Sequence, residues 1–358
     1  MRAPCCLLGL ITVLTGLFLV TPSFSRNIDE LEALVRRNAP ENPIRIAIGI
    51  RINQIEFVDQ KAENFGAVGT LRMEWQDPKL AFEPEADEQF FRVFTPEGFW
   101  DFTQKNRIYY PSFTFQNQQR RRFVHQAGFA VLPDGKAFYF EQFSAVMQAP
   151  NFDFRKFPFD TQKFFIHVTL NRPAGHAEFV PIENFSRLGD LLGEEEWILT
   201  DVHTEVGVHE GFTGLPSSRF SFGFDGYRHL DYYAVRIFLP LFVFAFVTWA
   251  TFFLEDYRKR IDIAAGNLLI FVAFNFAISG DLPRLGYMTF LDFILIAMFI
   301  VTALMIVFNV ALRHLEAKGR TEFAKRIDLY TLRWIYPISY FFVVLFAAYR
   351  FLYTTSEV

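Results

Sequence analysis

Between Ile44 and Ile52 isoleucine takes every second position, with Arg45, Ala47, Gly49 and Arg51 between, the period of two that a half-buried strand requires. The alternation returns in Val68–Trp75, Phe123–Leu132, Ala137–Met147, Lys163–Leu170 and Thr200–Val208. Pro133-Asp134-Gly135, between two of these runs, is hairpin turn chemistry. Strands this close, with no helix-length insert, predict an antiparallel, immunoglobulin-like β-sandwich. Ahead of them Ile28, Leu31, Leu34 and Val35 lie among charged residues and predict a short amphipathic helix. Beyond residue 232 the pattern changes. Ala234–Leu254, Ile261–Ser279, Phe290–Leu312 and Leu332–Leu352 are nearly unbroken apolar runs. At about 1.5 Å per residue each can cross a hydrocarbon core of about 30 Å.

Lysine and arginine set the orientation. The first connection between these runs carries Arg258, Lys259 and Arg260, and the third Arg313, Lys318, Arg320, Lys325 and Arg326, whereas the second has only Arg284. The first and third connections are therefore expected in the cytoplasm, with the strand-rich region and the C-terminus outside. The N-terminus agrees. Arg2, the apolar run Leu7–Val20 and the small residues Ser23 and Ser25 predict a signal peptide over residues 1–25. The expected organisation is a signal peptide (1–25), an extracytoplasmic all-β domain (26–232) and a transmembrane four-helix bundle (233–354) in the cell, or inner, membrane, the lipid bilayer being the first partner. Both cysteines, Cys5 and Cys6, fall in the signal segment, so the mature chain would hold no disulfide.

Composition narrows the function. Apolar residues make up 51% and aromatic residues 18%, far from a disordered chain. The net charge of −4 argues against nucleic acid as a partner. The chain has no His-Glu-x-x-His, Gly-x-Ser-x-Gly, phosphate loop or cysteine pair, so neither an enzyme nor a resident metal or cofactor is expected. Glu194-Glu195-Glu196 reads as a solvated acidic loop. A membrane-anchored sensor or adaptor that conducts nothing is an alternative, although the cytoplasmic segments are too short for an output domain.

The second apolar run differs from the others, being interrupted by Asp262, Gly266, Asn267 and Asn275. Helical steps of four and three from Asp262 reach Gly266, Leu269, Ala273, Phe276 and Gly280, which share one face. Polar groups inside a membrane are costly unless they face water or a bundle interior. Several copies around an axis would place a carboxylate ring below apolar constrictions that close by dewetting. The bland alternative is a helix packed through Ala264, Ala265 and Gly266.

In this order, the motifs resemble the pentameric ligand-gated ion channels of the Cys-loop superfamily, in their disulfide-less bacterial form. Trp75-Gln76-Asp77 is similar to the family's Trp-x-Asp strand motif, Tyr109-Tyr110-Pro111 stands at its Trp-x-Pro, and Phe157-Pro158-Phe159-Asp160 matches the loop that names the family. Leu239-Pro240 lies in the first span, and Leu282-Pro283-Arg284-Leu285-Gly286-Tyr287-Met288-Thr289 resembles the linker after the pore helix. The bridging cysteines would fall at Pro150 and Phe164, so the loop must be held by packing.

The resemblance implies a homopentamer gated by a small molecule or protons and passing monovalent ions. It places Asp262, Gly266, Leu269, Ala273, Phe276 and Gly280 along the pore, with Leu269 and Phe276 as gates. Coupling would run through Asp160, Pro158, Arg228, Pro283 and Glu63, with Gln60 where relatives carry a second acid. Asp160–Arg228 reads equally well as a plain structural pair. The agonist positions fall on Thr70, Gln116 and Asn171, and on Phe212 and Phe220 of a capping loop near His209–Phe220. With no aromatic cage at the first three, a quaternary amine is disfavoured. Glu63 matches an acid of a proton-activated relative, but Phe271 replaces that relative's pore-helix histidine. Asp262 favours cations, while Arg258 one turn earlier is placed to pair with it.

Overall fold

The computed structural model describes residues 32–35, 37, 40–84, 90–190, 192, 196–280 and 285–354. The signal-peptide expectation, Cys5, Cys6, Ile28, Leu31, Pro283, Glu194 and Glu195 lie outside the described residues; residues 32–35 are helical.

The strands are β1 (Ile44–Asp59), β2 (Asn64–Gln76), β3 (Arg92–Phe94), β4 (Phe113–Phe115), β5 (Phe123–Val131), β6 (Lys136–Gln148), β7 (Thr161–Pro173), β8 (Ala177–Pro181), β9 (Arg187–Leu188), β10 (Trp197–Glu210) and β11 (Pro216–Arg228). One sheet runs β3-β5-β6-β2-β1-β8 with β9 also beside β1; the other runs β10-β11-β7-β4. Alternation sends Ile46, Ile48, Ile50 and Ile52 of β1 and Phe220, Phe222 and Phe224 of β11 into the space between the sheets, where each is fully buried. Phe164 stacks on Phe224 with centroids 5.0 Å apart, and Phe65 meets Phe164 edge-on at 5.1 Å. Apolar packing of this kind takes the place of a disulfide.

Two features depart from the expected antiparallel sandwich. Strands β8 and β9 run parallel to β1, in register from Ile44–Ala177 to Ile48–Pro181 and at Arg51–Arg187. The chain leaves β7 in one sheet and crosses to the edge of the other, a connection that brings strands in the same direction where a hairpin would reverse them. A helix, α1 (Pro96–Asn106), also interrupts the strand series. Its signal is local. Thr95 caps it by accepting from Gly98 N at 3.1 Å, Pro96 opens the first turn, and Arg107 ends it in the left-handed region. Phe99 then stacks on Phe129 at 4.1 Å, closing one end of the core.

Four helices are long and apolar enough to cross a membrane: α2 (Leu230–Phe253), α3 (Tyr257–Ile278), α4 (Phe290–Ala317) and α5 (Thr321–Tyr353). The chain is a multi-pass membrane protein. Asp256 caps α3 through Arg258 N at 2.9 Å, and Thr289 with Asp292 forms a capping box on α4. Near the N-terminal ends of α3 and α5, Arg260 is buried and grips Asp328 with both terminal guanidinium nitrogens, at 2.7 and 2.9 Å. Arg260, which the charge pattern assigns to orientation alone, thus also ties α3 to α5.

Candidate functional site

The sandwich meets the helices through the loop between β6 and β7. Phe159 lies 5.9 Å from Phe238 of α2 and 5.5 Å from Phe290 of α4, while Phe157 meets Tyr233 edge-on at 5.3 Å. Pro158, between the two rings, is buried and follows a cis peptide bond. Phe290 N donates to Arg155 O at 2.9 Å, and Tyr287 Oη accepts from Phe154 N at 3.0 Å. From the β1–β2 turn, Lys61 Nζ donates to Gly280 O at 3.2 Å, just past the end of α3. Glu63 occupies the same turn with φ +48°, its carbonyl accepting from Ala149 N at 2.7 Å. Burial raises the Tyr287 pKa, and the nearby Asp153 and Glu63 charges push the same way.

Behind this loop stands an ionic cluster. Arg228, at the end of β11, donates from Nε to Asp160 Oδ1 at 3.1 Å, and both side chains are shut off from solvent. Its Nη1 reaches Glu196 Oε1, and also Tyr233 Oη at 2.9 Å. Tyr233 Oη in turn donates to Glu196 Oε1 at 2.9 Å, and Gln60 Nε2 to the same oxygen at 3.3 Å. The guanidinium carbon sits 4.2 Å from the Trp197 ring centroid and 4.7 Å from that of Phe157. Gln162 holds the other side by donating to Asp160 Oδ2 and to Asp153 O.

The chain therefore has a second acid in the cluster. It comes from the segment leading into β10, and the position on the β1–β2 turn is filled by Gln60, which hydrogen-bonds that acid. The reading of Glu194-Glu195-Glu196 as a solvated loop is corrected at Glu196: its side chain is partly exposed, and its carboxylate faces a buried arginine. The available signal was adjacency to Trp197, an aromatic that begins a strand and enters the core.

The residues expected to line a pore, Asp262, Gly266, Leu269, Ala273 and Phe276 on α3 and Gly280 just past its end, are all exposed in the protomer. Leu269 and Phe276 keep 71% and 76% of their surface, and a Cβ on Gly266 or Gly280 would meet nothing within 4 Å. The other side of the helix packs. Ala264, Asn267, Phe271 and Ile278 are buried, and Asn267 Nδ2 donates to Thr248 Oγ1 at 2.6 Å and to Phe244 O at 2.9 Å. Of the polar interruptions in this span, Asn267 thus serves packing against α2. Ala264 and Asn267 turn to the bundle, and Gly266 turns away. Arg258 and Asp262 are both exposed, and the ion pair expected between them is not among those of the described residues.

The expected ligand positions divide between the two sheets. Gln116 and Asn171 lie on the outer face of the four-stranded sheet. Gln116 Oε1 accepts from Thr169 Oγ1 at 3.2 Å and Arg219 Nη1 at 3.5 Å, and Asn171 Oδ1 from Thr114 Oγ1 at 2.8 Å. His167 beside them bonds Ser221 Oγ at 2.9 Å, and its pKa is lowered to about 4 by burial, then by the Arg219 and His209 charges. Thr70 is on the other sheet, where its Oγ1 accepts from Asn53 Nδ2 at 3.1 Å, at the edge of a groove of about 580 Å³. One protomer does not bring these sets together.

Phe212, at the hairpin tip, is 87% exposed. Phe220 is a correction: it is fully buried in the sandwich core and offers nothing to a ligand. The turn between β10 and β11 is short, so Phe220 already belongs to β11 and follows the inward alternation of Phe222 and Phe224.

Residues 25–171 match the family described as the neurotransmitter-gated ion-channel ligand binding domain. The chain is similar to the proton-gated ion channel of Gloeobacter violaceus, 27% identical over 263 residues, which is 70% of this chain and 67% of that one. It is also similar to a gamma-aminobutyric acid receptor subunit beta-like protein of Drosophila melanogaster, 20% identical over 312 residues (78% of this chain, 58% of the relative). A third relative, the pH-sensitive chloride channel 2 of the same fly, is 20% identical over 273 residues, 71% of this chain and 50% of the relative. The matches thus span between half and two thirds of these relatives' own length. With the sandwich, the four spans and the domain match in one order, residues 25–171 carry the neurotransmitter-gated ion-channel ligand binding domain, and the chain as a whole is similar to the ligand-gated ion channels of the Cys-loop superfamily.

Proposed function

We propose that this chain is the subunit of a homopentameric channel of the cell membrane, with α3 lining the pore and agonist binding outside, between subunits. The carrying observation is the bare face of α3. Asp262, Leu269 and Phe276 lie exposed along it, with open space beside Gly266 where a Cβ would point, while the opposite face packs on α2 and α4. A carboxylate turned to lipid is costly, and a row of such faces around water removes that cost. In this reading Leu269 and Phe276 close the pore by dewetting, and unpaired Asp262 side chains favour monovalent cations. The cluster of Asp160, Arg228 and Glu196 fits a coupling role. It joins β11, which runs straight into α2, to the loop seated on α2 and α4.

The test is current through bilayers holding purified protein. A serine ring wets more readily than a leucine ring, so Leu269→Ser is expected to give spontaneous current without any agonist. Absence of current from folded pentameric Leu269→Ser protein overturns the channel reading and favours an anchored sensor.

A further inference from the structure

The run Arg258-Lys259-Arg260 puts three consecutive cations in the first turn of α3, and the third is placed differently from the other two. Arg258 and Lys259 are exposed, whereas Arg260 is buried. Each nitrogen of its guanidinium is engaged. Nε donates to Leu254 O, in the turn from α2, at 2.6 Å, and the two terminal nitrogens hold Asp328 at 2.7 and 2.9 Å. The guanidinium carbon also lies 4.8 Å from the Tyr257 ring centroid. Asp328, on α5, is buried as well and is the one acid at ion-pair distance from Arg260 among the described residues. Membrane orientation by positive charge needs no such burial. Nor is stability a sufficient reason, because a sealed ion pair gains little over apolar packing of the same volume.

Position on the helix supplies the reason. Arg260 begins the packed stripe that continues through Ala264, Asn267, Phe271 and Ile278. Asp262, two residues on, is turned about 200° away from it and lies exposed on the opposite face. Asn267, about two turns further along the packed stripe, is fastened to Thr248 and Phe244 of α2. These two polar fastenings fix the rotation of the inner half of α3. We propose that Asp328, although it stands on α5 and off the bare face of α3, is a determinant of which ions pass. By engaging Arg260 it neutralises the third cation, holds it on the far side of the helix and keeps Asp262 aimed into the pore. The inference rests on the reading of α3 as the pore helix. Charge in a low-dielectric wall acts at range, so an Arg260 without Asp328 sets one uncompensated cation behind each Asp262.

The experiment reads the reversal potential of the purified full chain in bilayers under a potassium chloride gradient, with Leu269→Ser as the parent so that no agonist is needed. Adding Asp328→Asn is expected to lower the cation-to-anion permeability ratio roughly threefold or more. Adding Arg260→Gln together with Asp328→Asn removes cation and acid at once and is expected to return the ratio to the parent value. Asp328→Glu, which keeps the charge, is expected to hold it there. A pair that only holds the fold together lowers the unfolding midpoint of Asp328→Asn and leaves the ratio where it was. Should Asp328→Asn not assemble by itself, it is co-expressed with untagged parent and mixed pentamers are purified through a tag on the variant subunit; a smaller shift in the same direction is expected. An unmoved ratio in Asp328→Asn or in the mixed pentamers, or a double variant as anion-permeable as Asp328→Asn, overturns the proposal. Parent protein that passes no current overturns the pore reading, whereas parent current with an unmoved ratio overturns this inference alone.

Discussion

Replacing Asp160 by asparagine keeps the shape of the cluster and removes one charge. Arg228 and Asp160 are both sealed from solvent, with side-chain exposures of 0% and 1%, so water cannot take the place of the lost carboxylate. Breaking a buried pair by removing one partner costs about 3–5 kcal/mol. Glu196 still faces Nη1 here, but its side chain is 40% exposed and recovers only part, so the expected cost is near 3 kcal/mol. Replacing both partners, Asp160→Asn with Arg228→Met, removes the stranded charge together with its partner and is expected to cost less than the two single changes added. The measurement is a double-mutant cycle on unfolding in detergent, with a coupling energy above about 1.5 kcal/mol expected for contacting, desolvated charges. Agonist-evoked current from the same proteins then separates the two roles. A pair that only fixes geometry lowers stability and leaves the agonist concentration for half-activation unchanged, whereas a coupling pair shifts it as well. Strict additivity refutes the electrostatic account.

The other predictions test the remaining sites. His167 is protonated near pH 6.5 in the unfolded chain and near 4 when folded, so the unfolded state takes up the proton first. Its contribution is intact above pH 6.5 and is lost as pH falls toward 4, at most about 2 kcal/mol after discounting its solvent contact; His167→Gln should remove that part of the acid destabilisation seen in denaturation at pH 7 and pH 4. Asp262→Asn is expected to move the reversal potential under a salt gradient toward the anion value, and an unmoved potential removes Asp262 from ion selection. Phe220→Ala should cost about 3–5 kcal/mol of sandwich stability, as a buried aromatic does, with no change in agonist affinity in protein that remains folded; a selective loss of affinity would return Phe220 to the ligand site.

Legibility followed the range of the interaction. The six alternating runs and the four apolar runs are written in consecutive residues, and the strands and spans appear where those patterns lie. The exposed stripe on α3 was equally readable, because one helix repeats its faces every few residues. The parallel partners of β1 were not, since a crossover between sheets leaves no local mark. Helix α1 carried its mark in Thr95-Pro96-Glu97 and was hidden by the strand rhythm on either side. Phe220 was misplaced because hydrophobic residues near a hairpin tip look alike until the turn length fixes which of them begin the strand.

Glu196 marks the deeper limit. In sequence it ends an acidic run 32 residues from Arg228, and nothing along the chain joins the two. In space the β10–β11 pairing places Trp197 opposite Arg228, so the residue before Trp197 is carried to the guanidinium. The requirement belongs to the arginine: a buried guanidinium needs acceptors for more of its N–H groups than Asp160, which takes Nε, supplies alone. Any loop reaching that volume can meet the requirement, and here the segment before β10 does so while Gln60 donates to the acid in support. A cluster defined by the hydrogen-bonding needs of one buried residue can therefore draw its members from segments far apart in sequence.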